Sequence, residues 1–289
     1  MTTMLSGTPS PAEALCAMSA ADERLYATLD LANLRKTAAA ALDRLRYNNG
    51  ICLLGDLRQE AQLASPWLVE VAAHTSAPLL HWTLELARQH SAVTWMHSPL
   101  APFALAHRLR ARTETALPDG EAMLLRYFDP RVLPALESLL EPAQRASYLA
   151  VGSAWFHLDR GRTLLRIELA GASSPDPFAP PLRLTDKQFS GLLHAAEVDS
   201  VMPELVRQVP QTFLAMPAAD RVSFTRRWLA RADELKLTQH PDRVALCVLA
   251  ARLEDGFDKR PPWAELLQAV QGQRITLAQA MDRAMEEKA

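Results

Sequence analysis

Through the first 170 residues, short apolar runs alternate with stretches of helical period. Leu25–Leu29 has the length and composition of a strand, and Leu34, Ala38, Ala41, Leu42 and Leu45 then recur on one face of a helix. Asn49-Gly50 supplies a turn into a second strand, Ile51–Leu54. A short helix leads to a third strand, Trp67–Val71. Leu80, Leu84 and Ala87 mark a helix over Leu79–Gln89, and Val93–Met96 reads as a fourth strand. Strands separated by helices of about ten residues predict crossover units and a partly parallel sheet.

The pattern then changes. Arg112–Leu117 and Glu121–Phe128 flank Leu117-Pro118-Asp119-Gly120, whose fixed φ at Pro and tolerance of positive φ at Gly predict a hairpin. Two short helices are expected from Pro130 and Pro142, and a last strand pair, Ala154–Leu158 and Leu164–Leu169, turns at Asp159-Arg160-Gly161. Gly171 to Pro181 is rich in Pro and Ser without apolar period, which predicts a linker. Everything after it reads as helix. Thr185 with Gln188 and Thr276 with Gln279 form capping boxes. Pro203, Pro217 and Pro241 each suit a first helical residue, where the missing N–H costs nothing. Trp228, Leu229, Ala232 and Leu235 make one apolar stripe, and Val244, Val248, Ala251 and Leu253 another. The expected fold is α/β: a mixed β-sheet domain flanked by helices over 1–170, a linker over 171–182, and an all-α lobe over 183–289.

Composition narrows the function class. The 289 residues are 49% hydrophobic and 22% charged, the balance of an ordinary globular protein. A net charge of -2 gives no overall pull toward nucleic acid or an anionic membrane. The three cysteines, Cys16, Cys52 and Cys247, are odd in number and far apart, so a disulfide framework is not expected. The first residues lack a basic start and an apolar core, and no run is long enough to span a bilayer, so the expected location is the cytoplasm.

Catalytic signatures are missing. Neither phosphate-binding glycine motif occurs, and Val151-Gly152-Ser153-Ala154 lacks the second glycine of a nucleophile elbow. His74 and His81, like His90 and His97, are two helical turns apart, roughly 10 Å, too far to share a zinc ion. His194 and Glu197 have a better spacing but no second pair to complete a metal site. Cys52 lies in an apolar run, which suits a small buried residue. Arg108, Arg110 and Arg112 alternate and Arg226, Arg227 and Arg231 cluster, yet no aromatic interleaves them, so both read as solvated faces. The densest constellation is Arg126-Tyr127-Phe128-Asp129-Pro130-Arg131. Asp129 can cap a helix opened by Pro130, with both arginines pairing locally; a partner site is the other reading. Trp67, Trp82 and Trp95 are core residues by default and interface anchors otherwise.

Four segments carry a family resemblance. Leu25-Tyr-Ala-Thr-Leu-Asp30 resembles the opening "LYALLD" strand of the Tap family, the adaptor chaperones of type VI secretion effectors. Ser65-Pro-Trp-Leu-Val-Glu70 is similar to that family's "APWLVEL". Leu80-His-Trp82 followed by Val93-Thr-Trp-Met-His-Ser-Pro99 resembles "LLRWLL…GIFLRSP". Leu117-Pro-Asp-Gly120 with Leu125-Arg-Tyr-Phe-Asp-Pro-Arg-Val-Leu133 is close to "LPDG…FRFYDPRVL". The resemblance covers about 25–150, with weaker likeness at Leu253–Asp258 and Pro262-Trp263. Arg88-Gln-His-Ser-Ala92 replaces a stretch rich in glycine and tryptophan.

The resemblance implies a non-catalytic adaptor without cofactor or metal. It would bind a cognate secreted toxin, the effector, and load it onto the C-terminal region of the spike protein. No nucleic acid and no membrane insertion are implied. Its candidate partner-binding residues are Tyr26, Asp30, Trp67, Trp82, Trp95, Arg126, Tyr127, Phe128, Asp129 and Arg131. An immunity-type toxin binder and a hydrolase with a dispersed site are the alternatives.

Overall fold

A computed structural model describes residues 2–4, 9–18, 20–55, 57–253 and 255–286. Glu254, inside the Leu253–Asp258 stretch, lies outside them, as do Met1 and 5–8 of the leader reading. The chain forms two compact units, Met1–Ala195 and Ala196–Ala289.

The strands all belong to the first unit: β1 (Thr2–Met4), β2 (Arg24–Asp30), β3 (Ile51–Cys52), β4 (Pro66–Val71), β5 (Val93–Ser98), β6 (Glu114–Ala116), β7 (Ala122–Leu124), β8 (Ala154–Leu158), β9 (Leu164–Glu168) and β10 (Leu182–Arg183). The same unit holds α1 (Pro11–Cys16), α2 (Ala38–Tyr47), α3 (Gln59–Gln62), α4 (Pro78–Gln89), α5 (Pro102–Ala111), α6 (Leu133–Leu139), α7 (Pro142–Tyr148) and the start of α8 (Asp186–Gln208). A seven-stranded sheet runs β1-β9-β8-β5-β2-β4-β3, and a small one runs β10-β6-β7.

Every pairing in the large sheet is antiparallel, which corrects the expected parallel crossovers. The sole parallel pair among the described strands, β10 on β6, is in the small sheet. The physical reason is burial on both faces. Leu25, Ala27, Leu29 and Trp95 pack into one layer of the core. Tyr26, Met96 and Trp155 pack into another. A central strand covered on both sides loses its alternation and reads like a parallel one.

The Pro118–Gly120 hairpin forms as expected: Gly120 has φ +90°, and Thr115 pairs with Met123. Gly152 is required by close approach, since a Cβ there would lie 2.0 Å from the His97 carbonyl oxygen.

The 171–182 stretch is packed into the first unit rather than linking two lobes. Asp176 accepts from Arg112 Nη1 and Nη2, both at 2.8 Å, and Arg112 is fully buried. The guanidinium lies 4.9 Å from the Phe178 ring centre. Leu182 and Arg183 then add β10 beside β6. Proline and serine here stiffen a docked segment, and the unit boundary falls inside α8 instead.

The second unit contains the rest of α8 with α9 (Pro210–Ala215), α10 (Ala218–Glu234), α11 (His240–Arg252), α12 (Trp263–Gln271) and α13 (Leu277–Glu286). Both capping boxes form, with Thr185 N donating to Gln188 Oε1 at 3.0 Å and Thr276 N to Gln279 Oε1 at 2.9 Å. Pro241 lies in the first turn of α11, and Pro217 is the residue that precedes α10. Pro203 is inside α8, which corrects its reading as a helix start. Its two sides, Val201 and Leu205, are fully buried, so tertiary packing carries the helix through the missing bond. Trp228, Leu229, Ala232 and Leu235 line the core as the stripe predicted.

Candidate functional site

Four of the singled-out residues meet in one network, held together by a fifth that sequence reasoning did not single out. β2 ends at Asp30, whose Oδ1 accepts from Ala32 N at 3.2 Å and starts a turn of 3₁₀ helix, Leu31–Asn33. That turn brings Asn33 back over Asp30. Asn33 Nδ2 donates to Asp30 Oδ2 at 3.1 Å, to Ser91 O at 2.9 Å and to Asp129 Oδ2 at 3.0 Å.

Asp129 comes from a tight turn after the hairpin. Its carboxylate accepts from its neighbour Arg131 three times: backbone N at 2.9 Å, Nε at 2.9 Å and Nη2 at 2.6 Å. The next helix begins only at Leu133, with Val132 as its cap. The sequence expectation of a helix opening at Pro130 and capped by Asp129 is therefore corrected. The oxygens that would cap are occupied by Arg131 and Asn33, and the turn is built from Asp129 O to Val132 N at 2.9 Å. Arg126 closes the network through an ion pair with Asp30.

Burial divides the site into two layers. The side chains of Asp30 and Asp129 are 1% and 5% exposed, whereas Arg126 and Arg131 are 41% and 32% exposed. Two anions lie inside and two guanidinium edges face solvent. The carboxylates are pushed in opposite directions. Burial raises the Asp30 pKa, and the Arg126 hydrogen bond and charge offset only part of that rise. Burial acts the same way on Asp129, but Arg131 and Asn33 outweigh it and hold the carboxyl below its ordinary range. Such a site can recognise a complementary surface through the outer arginine edges. It offers no nucleophile within the network.

The remaining candidates lie in the core or at its edge. Tyr26, Trp67, Trp95, Tyr127 and Phe128 are buried in the core. Their polar atoms are satisfied internally: Tyr26 Oη by Leu100 O at 2.6 Å, Tyr127 Oη by Leu109 O at 2.7 Å, Trp95 Nε1 by Thr83 Oγ1 at 3.0 Å and Trp67 Nε1 by Gln62 O at 3.2 Å. Trp82 is half-buried, with the Arg44 guanidinium 4.8 Å from its ring centre. Asn33 was legible only as a short polar residue just past a strand end, three positions after Asp30, a pattern shared by many ordinary turns.

The other chemistry-bearing residues do not assemble. Ser153 Oγ is buried with no hydrogen-bond partner. His97 and His157 are fully buried, and burial lowers both pKa values, to about 4 for His157. Among the described residues no group of three His, Cys, Asp or Glu side chains is placed to hold a metal, and no helix is long and apolar enough to cross a membrane.

Residues 25–147 match a family model described as "Domain of unknown function (DUF4123)". That span contains the whole Asp30–Asn33–Arg126–Asp129–Arg131 network. No curated protein matches the chain, and no solved structure does.

Proposed function

We propose that the protein is a non-catalytic adaptor that binds a secreted toxin and loads it onto the C-terminal region of a type VI secretion spike. One observation carries the reading. The first and last of the segments that resemble the Tap adaptors are about a hundred residues apart, yet both end in the same buried network and turn two arginines outward. Core packing accounts for the aromatic members of those segments. It does not require Asp30, Arg126, Asp129 and Arg131 to converge, because a buried ion-pair network is a weak source of net stability. A recognition surface does require it, since the inner carboxylates fix the angle at which the guanidinium edges are presented. The match of 25–147 to one domain family supports treating this as a functional unit.

The test is co-purification of the full chain with any toxin found among the products of neighbouring genes and, separately, with the spike's C-terminal region. The Arg126→Gln/Arg131→Gln variant, checked for folding by circular dichroism and thermal melting, is expected to lose at least about tenfold in affinity for one of the two, or ~1.4 kcal/mol. Undiminished binding of both partners by the folded variant would dismiss the site. Toxin binding with no spike binding by the wild type would favour an immunity-type protein.

A further inference from the structure

A second recognition feature lies at the β3 edge of the large sheet and shares no residue with the Asp30–Asp129 network. A cavity of about 580 Å³ opens there, lined by Arg46, Cys52, Gln62, Trp67, Phe103 and Arg110 among others. Its cause is legible in the strand pairing. Leu53 N donates to Pro66 O at 2.9 Å, but proline has no N–H to return to the Leu53 carbonyl. Arg110 fills that role, with Nε 3.1 Å from Leu53 O and Nη2 3.2 Å from Cys52 O. The guanidinium thus blunts the sheet edge. Arg46 reaches in from the end of α2 and donates to Gln62 Oε1 at 2.8 Å.

All of these acceptors are neutral. No carboxylate lines the cavity among the described residues. Elsewhere in the same unit Arg112, Arg126, Arg131 and Arg145 each lie against a carboxylate. Among the described residues, one concavity therefore holds two arginines with no carboxylate in its lining. Phe103, 79% exposed, offers an apolar surface beside them.

We infer that this cavity receives an acidic segment of a partner protein, with Asp or Glu carboxylates on Arg46 and Arg110 and an apolar side chain against Phe103. The guanidinium nitrogens that these bonds do not use, Nη1 of Arg110 and Nε and Nη1 of Arg46, are the donors a carboxylate would meet. A nucleic acid fits poorly, because two arginines without flanking basic residues give no track along a phosphate backbone and the chain is net acidic. The choice of a protein occupant rests on the adaptor reading; the charge argument does not.

The experiment uses the full chain and fluorescein-labelled poly-L-glutamate, read by anisotropy, with a labelled single-stranded oligonucleotide as the competing class. Saturable poly-L-glutamate binding that falls at least tenfold in Arg46→Glu/Arg110→Glu is expected. The same change of charge at exposed positions in the second unit, Arg274→Glu/Arg283→Glu, should reduce it less than twofold. Because Arg110 also supports β3, Arg110→Lys is the folding-safe companion: it keeps the charge and should retain most of the binding. Equal losses in the two double variants, or tighter binding of the oligonucleotide than of poly-L-glutamate, would overturn the inference. Absence of poly-L-glutamate binding by a wild type that still co-purifies with toxin and spike would overturn it alone. Poly-L-glutamate binding by a chain that captures neither partner would leave it standing and remove the adaptor reading.

Discussion

Asn33 Nδ2 lies 3.0 Å from Asp129 Oδ2, a contact across 96 residues of sequence that ties the end of β2 to the turn after the hairpin. The same nitrogen serves Asp30, so one amide lies between two buried carboxylates. Its removal leaves each anion short of a donor.

Asn33→Ala should therefore lower stability by about 1–2 kcal/mol, the cost of unsatisfied buried acceptors. Asn33→Asp should cost more at pH 7, because it sets a third carboxylate against two, and should recover relative to Asn33→Ala as pH falls and the cluster takes up a proton. Urea unfolding at pH 7 and pH 4 measures both. The native pair itself works in opposite directions. Asp129, held low, contributes stability above its unfolded pKa that is lost as pH drops through the folded value. Asp30, held high, favours the folded state below its unfolded pKa, and that contribution is lost as pH rises through the folded value. Equal stability of the two variants at pH 7 would mean that the carboxylates are not coupled through this position.

His157 is expected to contribute to the acid sensitivity of the first unit. The ring is fully buried in β8 with neither nitrogen hydrogen-bonded, and desolvation lowers its pKa from 6.5 to about 4 against the pull of Asp159 and Glu137. The unfolded chain binds this proton first, so stability is full above about pH 6.5 and declines as pH falls toward 4. Between pH 7 and pH 5 the loss from this one group is about 2 kcal/mol. His157→Leu should flatten that part of the stability–pH curve, read from urea midpoints at each pH. An unchanged slope would assign the acid sensitivity elsewhere, with His97 the next candidate because burial lowers it as well.

The docked segment after β9 depends on Asp176. Arg112 is fully buried and Asp176 is its carboxylate partner, so Asp176→Ala leaves a cation held only by the backbone carbonyls of Arg108, Ser147 and Tyr148. Breaking one side of such a pair costs roughly 3 kcal/mol, somewhat less here because Asp176 is part-exposed. In the wild type, limited proteolysis should spare 171–182. In Asp176→Ala this stretch should become the first site cut, identified by mass spectrometry of the early fragments. Early cutting there in the wild type would return it to the status of an open linker.

These residues also show how far the sequence could be read. The positions of β2 to β9, the Pro118–Gly120 hairpin and both capping boxes follow from local chemistry, and each was visible as period, turn or cap, whereas the short edge strands β1 and β10 carry no such signal. The direction of the strands was not, because β2 and β5 are covered on both faces and carry no alternation to distinguish antiparallel from parallel neighbours. The stretch 171–182 was misread for a related reason. Composition reports that a segment lacks secondary structure, while its docking depends on one distant arginine, Arg112, whose burial no local pattern announces. In the site, Arg126, Asp129 and Arg131 stood out as a dense run and Asp30 through the family resemblance, but Asn33 is an ordinary turn residue until the fold brings Asp129 against it.

The unit boundary decides how the chain can be divided. A fragment of 1–170 lacks Asp176 and β10, leaving Arg112 buried without its carboxylate and β6 with one open edge. It also lacks Gln188, which donates to Leu139 O at 3.1 Å and Gln144 Oε1 at 2.6 Å. A fragment of 1–195 keeps all three and ends where the first compact unit ends. The shorter fragment should therefore be less stable by at least about 2 kcal/mol, the discounted cost of the broken ion pair alone, and the longer one should unfold cooperatively. Urea melts of both fragments make the comparison. On the adaptor reading the longer fragment, which holds the whole arginine network, should still bind the spike's C-terminal region, whereas toxin capture should need 196–289 as well. Each is checked by co-purification once the fragment is shown to fold. Toxin capture by 1–195 together with loss of spike binding would reverse the assignment, and a 1–170 fragment as stable as 1–195 would show that the docked segment is dispensable.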